Sequence, residues 1–264
     1  MKRNQLVNYL DQLLKPELFQ DLCPNGLQIE GGENIQKVAF AVSATLESIE
    51  EAIKWEADAL ITHHGVFWSY QKGKPVTGSW GRRIRQIIKK DINLISYHLP
   101  LDGHQEYGNA AQLAKKLELN SIEPFGEYKK SIIGAKGQFK YPIMVENLTQ
   151  RLEKTLDHPI IVSTPNNKDF IETIGIITGG ANNDWIQASQ AGLDAYLTGE
   201  ISEYNWHDAK EEGISYFACG HHATERYGVL ALKDLIAKEF KLETLFIDSD
   251  NCLLYTSPSP RDRG

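Results

Sequence analysis

The sequence has little cysteine and no long apolar run. Only three cysteines occur among 264 residues, Cys23, Cys219 and Cys252. They form neither a metal-binding pair nor an even set that would suggest disulfide bonds. No apolar stretch approaches the roughly 20 residues of a membrane-spanning helix, and the N-terminus lacks a signal peptide's apolar segment. We therefore expect a protein of the reducing cytoplasm with no membrane partner.

Positive charge is also scarce. Lysine and arginine number 28 against 35 aspartates and glutamates, which gives a net charge of −7, and the basic residues are scattered. Because phosphate neutralisation supplies most of the affinity for duplex nucleic acid, we do not expect a nucleic-acid partner. A nucleic-acid-processing ring would gain support if Arg82, Arg83 and Arg85 lined a central hole. A small phosphorylated substrate is compatible with this charge if bound cations supply the positive charge.

The order of apolar patterns indicates an α/β protein. Residues 37–120 alternate between short apolar runs, at 37–43, 58–62 and 92–97, and segments of helical periodicity. This alternation is typical of a mostly parallel sheet with helices on its faces. Residues 66–81 are aromatic and glycine-rich and are predicted to form a long loop. The last helix is predicted around Val229 to Phe240.

The pattern breaks at residues 121–130, where we place a domain boundary. We predict a first α/β lobe from residues 1–126 plus 219–251 and a second from residues 127–218. Residues 252–264 are rich in serine, proline and arginine after an ordinary last strand. We interpret them as a non-native tail outside the fold.

The two predicted lobes are related by an internal duplication. A shift of 136 residues places Val38–Val42 on Ile174–Thr178 and Asp58–Thr62 on Asp194–Thr198 without a gap. After a change of offset, the next strands also correspond, and each ends near a histidine followed four residues later by an acid. Two lobes of the same strand–helix order are the natural interpretation.

Histidines and acids gather after three predicted strands. In open α/β sheets ligands bind beyond the carboxyl ends of strands, so residues far apart in sequence can meet there. The residues in these positions are the pairs His63/His64, His98/Asp102 and His221/Glu225. Imidazoles and carboxylates are the usual ligands of Zn, Mn, Fe and Ni. Four imidazoles and two carboxylates exceed the needs of one tetrahedral ion and suit two ions with a bridging carboxylate.

Each candidate also has a structural interpretation. His63 and His64 alone would read as polar loop residues, and His98 as a hydrogen-bonded structural residue. We expect His222 to support the site from outside it and Cys219 to be a buried thiol. Two features remain open. Glu200 either lines the site or caps a turn, and the aromatic residues serve packing or subunit contact rather than base stacking, these being Phe67, Trp68, Tyr70 and Trp80.

At these residues the chain resembles the NIF-three-like family, also called GTP cyclohydrolase I type 2 homologues, in its short YbgI-like bacterial form. Four motifs carry the resemblance: Asn25–Gln28, Thr62–Gly65, Leu101-Asp102 followed by Gly108-Asn109, and Gly220–Arg226. It implies two α/β lobes, a dinuclear metal site between them and a ring-shaped homohexamer. The family pattern implies that His63, Asp102 and Glu225 hold one ion. His64, His221 and the bridging Glu225 would hold the other.

Two functions follow as hypotheses. The first is a dinuclear metal-dependent hydrolase, GTP cyclohydrolase I type 2-like, that acts on a nucleotide-like or heterocyclic small molecule through metal-activated water. His98 and Glu225 are its predicted catalytic residues, because a histidine or a carboxylate must handle protons. The second is a non-catalytic, hexameric metal-binding assembly or metal carrier that interacts with other proteins. Open coordination positions would favour the enzyme, and a closed shell the carrier.

Overall fold

A computed structural model describes residues 1–251, and the predicted tail at 252–264 lies outside them. The helices are α1 (Arg3–Leu14), α2 (Leu46–Lys54), α3 (Gly78–Lys89), α4 (Leu99–Asp102), α5 (Asn109–Lys116), α6 (Val145–Leu156), α7 (Trp185–Gln190), α8 (Glu203–Glu211) and α9 (His221–Phe240). The strands are β1 (Gly26–Ile29), β2 (Lys37–Ser43), β3 (Ala59–His64), β4 (Asn93–Ser96), β5 (Asn120–Tyr128), β6 (Ser131–Met144), β7 (Ile161–Ser163), β8 (Phe170–Ile176), β9 (Ala195–Thr198), β10 (Ser215–Ala218) and β11 (Glu243–Phe246). Within residues 1–251, each helix is too short or too polar to cross a lipid bilayer.

The chain divides into two compact units. The first contains Met1–Tyr107 and Gly228–Ser249, and the second contains Gly108–Tyr227. The sequence had placed these divisions at 126/127 and 218/219. The difference arises because α5 and the start of α9 contribute to the core of the second unit, through Leu113 and Ala223 among others. The fold class is confirmed, since helices and two sheets build both units.

The first unit is built on a five-stranded sheet in the order β1-β4-β3-β2-β11. All neighbours are parallel except β1, which runs antiparallel to β4. Alternate residues of β2 enter two separate hydrophobic clusters, Val38 and Phe40 in one, and Ala39 and Ala41 in the other. Both faces of this sheet are therefore covered, which explains the continuous apolar run of β2.

The second unit has a six-stranded mixed sheet in the order β5-β6-β8-β9-β10-β7. Only β8, β9 and β10 pair in parallel, while β5/β6, β6/β8 and β7/β10 are antiparallel. The expectation of mostly parallel sheets thus holds for the first unit but not for this one. Residues 121–130, interpreted as a break, belong to the β5–β6 hairpin. Strand β5 lies at the sheet edge and is largely exposed, so it lacks a clear apolar pattern.

The register of the parallel strands repeats between the two sheets. Val38 lies opposite Ala59 in the first sheet, and Ile174 lies opposite Ala195 in the second. Both pairs differ by the same 136 residues, 174 − 38 and 195 − 59. The internal duplication seen in the sequence is therefore repeated in strand pairing.

Three elements differ from their predicted bounds. Strand β3 includes both His63 and His64, which were expected just beyond its end. Helix α3 begins at Gly78, within the predicted loop. Helix α9 begins at His221, so His221 and Glu225 lie on its first turns rather than in a loop. Helix α8 was not predicted, because Asn205 and Ala209 are its only buried residues and leave no apolar stripe.

Candidate metal centre

In the first unit, the end of β3 presents two adjacent imidazoles whose ring centroids are 4.6 Å apart. His63 is fully buried, and its Nδ1 lies 3.1 Å from the carbonyl oxygen of Tyr97. Because a carbonyl only accepts hydrogen bonds, Nδ1 is protonated and Nε2 keeps its lone pair. The Nδ1 of His64 lies 2.9 Å from the Ser43 hydroxyl on the neighbouring strand.

The chain after β4 brings two more predicted residues to the same place. His98 precedes α4, and a ring nitrogen of His98 lies within 4.8 Å of ring nitrogens of His63 and His64. Asp102, at the end of α4, is 8% exposed, and its Oδ2 is 3.5 Å from His63 Nε2. The first unit thus gathers three imidazoles and a carboxylate, as the sequence predicted for these four residues.

Two residues near His98 escaped the sequence analysis as site residues, although Asn25 was noted as part of a motif. Asp21 Oδ1 lies 2.8 Å from His98 Nδ1, and the Asn25 side-chain oxygen accepts the His98 backbone N–H at 2.8 Å. Burial by itself raises the pKa of Asp21. The hydrogen bond from His98, its charge and the bonds from Asn25 and Cys23 prevail, and the pKa lies well below its ordinary value. Asp21 gave no local signal, because its partner lies 77 residues away.

In the second unit, the first turns of α9 pair a histidine with an acid. His221 and Glu225 are four residues apart on one helix face, with Nε2 and Oε2 separated by 3.2 Å. Glu200, which follows β9, accepts from the other ring nitrogen of His221, with Oε1 2.5 Å from Nδ1. Burial lowers the pKa of His221, but the charges and hydrogen bonds of Glu225 and Glu200 outweigh it and raise the pKa to about 11. Glu200 therefore lines this cluster and does not merely cap a turn.

The backbone leaves room for the Glu225 carboxylate. Gly179 adopts φ +70°, and a Cβ at this position would overlap the Glu225 carboxylate. The Gly179 N–H donates to Thr224 Oγ1 at 3.1 Å, and Thr198 Oγ1 donates to the Gly179 carbonyl at 3.1 Å. Glycine is thus required twice here, for its left-handed backbone and for its missing side chain.

The repeated histidine–acid pattern is displaced by one residue between the two sheets. The Tyr97 N–H donates to the Thr62 carbonyl, and the Cys219 N–H donates to the Thr198 carbonyl in the same way. Tyr97 therefore corresponds to Cys219, and His98 corresponds to Gly220 rather than to His221. The expectation that His98 and His221 are counterparts is wrong, although both carry a carboxylate on Nδ1.

The remaining candidates have mainly structural environments. Cys219 is fully buried, and burial raises the pKa of its thiol far above the ordinary value, so it is a core thiol. His222 is 7% exposed. Phe67 packs edge to face with Trp80, as expected for packing. Trp68 is different, because its ring lies 5.9 Å from that of His64 and 5.1 Å from that of His98, and so borders the imidazole cluster.

The donors in each unit fit a divalent transition metal. Imidazole and carboxylate are the ligand types that Zn, Mn, Fe and Ni accept. The carboxylate on Nδ1 of His221 and the carbonyl on Nδ1 of His63 are the supports that metal-binding histidines usually have. The fold and these clusters define an α/β protein whose histidine, aspartate and glutamate groups can bind a metal ion.

Comparison with known proteins then gives the family. A sequence profile of the DUF34/NIF3 family (NGG1p interacting factor 3) matches residues 1–252, and the chain belongs to this family. A GTP cyclohydrolase 1 type 2 homolog of Vibrio cholerae serotype O1 is 42% identical over 253 residues, which cover 95% of this chain and 99% of that protein. The homolog of the same name from Haemophilus influenzae is 40% identical over 251 residues, 95% of this chain and 99% of that protein.

Solved structures agree. Protein ybgI, described as of unknown function, superposes with a TM-score of 0.87 at 35% identity, over 96% of this chain and 100% of that chain. A protein from Thermus thermophilus has the same TM-score at 32% identity and the same coverage. Reduced HcgD from Methanocaldococcus jannaschii, with a TM-score of 0.83 over 94% and 98% of the two chains, is 23% identical and shows likeness of fold alone. The resemblance to the short YbgI-like form is thereby confirmed.

Proposed function

We propose that the protein is a dinuclear metal-dependent hydrolase acting on a nucleotide-like or heterocyclic small molecule. The observation that carries this proposal is the excess of donors: three imidazoles with Asp102 in the first unit, and His221 with Glu225 in the second. One tetrahedral ion uses four ligands. We assign His63, Asp102 and Glu225 to one ion and His64, His221 and Glu225 to the other. We propose Zn, Mn, Fe or Ni as the metal.

Bound divalent ions would supply positive charge for the substrate and a hydroxide nucleophile at neutral pH. The protein's own groups perform the remaining tasks. The Tyr97 carbonyl holds His63 with Nε2 deprotonated, and Glu200 turns the His221 ring towards Glu225. His98 is the group that handles protons beside this cluster, since Asp21 holds its Nδ1 and leaves Nε2 for proton transfer.

The substrate class follows from the relatives and from the charge. The relatives are named for a GTP cyclohydrolase, and we extend that name to a guanine nucleotide as the first substrate to test. With a net charge of −7, the chain needs bound cations to attract such an anion. The Trp68 ring beside His64 and His98 provides an aromatic surface next to the imidazoles. We further propose that the protein acts in the cytoplasm, where its two described cysteines remain reduced.

The test compares metal content and turnover. We expect elemental analysis to find about two divalent ions per chain, and the double variant His63→Ala/Glu225→Ala to lose them. His207→Ala is the matched control, because His207 is an exposed histidine on α8. With Mn²⁺, Zn²⁺, Fe²⁺ or Ni²⁺ restored, GTP should release formate. Metal binding without turnover of GTP, other nucleotides, nucleosides or formamides would contradict the hydrolase and favour the metal-binding assembly.

Self-association is part of the proposal. We propose a ring-shaped homohexamer, supported by large apolar side chains that the isolated chain leaves exposed, among them Tyr141 at 72% and Phe170 at 55%. Exposed apolar surface of this kind commonly marks contact between proteins. Light scattering coupled to gel filtration should give six times the chain mass, and a monomer would contradict this assembly.

A further inference from the structure

The carboxylate of Asp21 is a buried acceptor of four hydrogen bonds. Its side chain is 3% exposed. Oδ1 lies 2.8 Å from His98 Nδ1 and 3.1 Å from the Cys23 backbone nitrogen. Oδ2 accepts from the Leu99 N–H at 2.9 Å and from the Asn25 amide nitrogen at 3.1 Å. All four partners can donate, and an ionised carboxylate is the side chain that accepts from all of them.

This environment fixes the tautomer of His98. Because the carboxylate only accepts, His98 must donate from Nδ1, and the lone pair of the neutral ring resides on Nε2. The backbone N–H of His98 is held separately by the Asn25 side chain. The ring lies 5.0 Å from that of His63 and 5.6 Å from that of His64, so Nε2 is held beside the imidazole cluster. The His98 side chain is 20% exposed and remains accessible to a small molecule.

We infer that Asp21 is a positioning residue, which holds His98 in the Nδ1–H tautomer so that Nε2 accepts a proton during hydrolysis. The attacking water gives one proton to Nε2, and the hydroxide that remains attacks the substrate. The imidazolium that forms keeps its Nδ1 hydrogen bond to Asp21, whose negative charge offsets the new positive charge. The catalytic part of this inference rests on the proposed function. The tautomer does not, because it is a property of the protein alone.

Replacement of Asp21 by asparagine should reverse the tautomer. An asparagine has one accepting oxygen and one donating amide group. If its oxygen faced His98, the amide group would face two donors, the Leu99 N–H and the Asn25 amide. The opposite orientation leaves one donor conflict, at the Cys23 N–H, and turns the amide group towards His98 Nδ1. That nitrogen must then accept, which moves the proton to Nε2.

The test is ¹⁵N nuclear magnetic resonance of imidazole nitrogens in ¹⁵N-labelled protein after metal removal, at about pH 8, where a histidine of ordinary pKa is neutral. The His98 signals are those absent from the His98→Gln protein. We expect a protonated Nδ1 in the wild type and a protonated Nε2 in Asp21→Asn. Asp58→Asn is the matched control, since Asp58 also accepts two backbone N–H groups but contacts no histidine in its described bonds. It should leave His98 unchanged.

A protonated Nε2 in the wild type would overturn the inference even if the Asp21→Asn protein failed to fold. The same tautomer in wild type and Asp21→Asn would overturn it as well. In turnover of GTP with Mn²⁺, we expect Asp21→Asn to lower kcat about 100-fold. In the His98→Gln background it should lower kcat no further. A wild type that does not turn over GTP contradicts the proposed function, and the spectrum then still decides the role of Asp21.

Discussion

The carboxylates of Asp58 and Asp194 make the same contacts at equivalent positions of two different sheets. Asp58 Oδ2 accepts from the backbone N–H groups of Gln36 and Lys37, at 2.7 and 2.8 Å. Asp194 Oδ2 accepts from the N–H groups 136 residues further on, those of Glu172 and Thr173, both at 3.0 Å. Each aspartate thus ties the start of one parallel strand to the start of the next. The duplication therefore preserves an interaction as well as a pattern of apolar residues.

Replacement of Asp194 by alanine should destabilise the second unit. The variant leaves two backbone N–H groups and the Thr173 hydroxyl without their acceptor. We expect the free energy of unfolding to fall by about 1–3 kcal/mol, as measured by urea denaturation. Glu153→Ala, on the exposed face of α6, is the control and should change it by less than about 0.5 kcal/mol. Equal stability of the two variants would show that the repeated contact contributes nothing.

Much of the fold could be predicted because its signals are local. Strands β2, β3, β9 and β10 are short, buried apolar runs, and each was found within about two residues of its observed bounds. The edge strand β5 and the polar helix α8 were missed for a common reason. Neither buries enough of its side chains to impose a periodic pattern on the sequence.

The candidate site could be predicted only in part. His63, His64, His98 and Asp102 were recognised because each follows or ends a strand whose position was already clear. Asp21 could not be found in this way. It lies in an irregular segment after α1 and reaches His98 only through the tertiary fold. Glu200 was visible as the counterpart of His64, but its hydrogen bond to His221 depends on the start of α9.

The raised pKa of His221 predicts how the stability of the metal-free protein depends on pH. The folded pKa is about 11 against an ordinary value of 6.5, because Glu225 and Glu200 favour the charged ring more than burial opposes it. The stabilisation is therefore complete below about pH 6.5 and is lost as the pH rises towards 11. Urea denaturation of chelator-treated protein should show this loss. His221→Gln should lack it, and identical pH profiles of the two proteins would refute the assignment.

Glu200 should strengthen metal binding without being a ligand itself. Its carboxylate accepts from His221 Nδ1 and so directs Nε2 towards the Glu225 side of the cluster. Loss of such an outer carboxylate typically lowers metal affinity about 10- to 100-fold. We expect Glu200→Gln to lower Zn²⁺ affinity by this amount in competition with a chromophoric chelator. Glu203→Gln, an exposed neighbour at the start of α8, should bind Zn²⁺ as the wild type does. An unchanged affinity in Glu200→Gln would leave Glu200 a purely structural role.

Two glycines can separate backbone strain from crowding of the Glu225 carboxylate. Gly179 and Gly192 have nearly equal backbone angles, φ +70° and +67°. An added Cβ at Gly179 would overlap Glu225, whereas a Cβ at Gly192 would meet nothing within 4 Å. We expect each alanine variant to lose about 1–2 kcal/mol of unfolding free energy, because an alanine is strained in the left-handed conformation. Only Gly179→Ala should also bind less metal, since its methyl group displaces the Glu225 side chain.

The measurement is elemental analysis of both variants after dialysis against the same Mn²⁺ solution, together with urea denaturation of each. Gly192→Ala is the matched control, because it carries the same backbone strain far from any carboxylate. If both variants lose metal equally, loss of stability rather than the position of Glu225 explains the effect. If Gly179→Ala retains the wild-type metal content, Glu225 does not need the space that this glycine leaves, and its assignment as the shared ligand is contradicted.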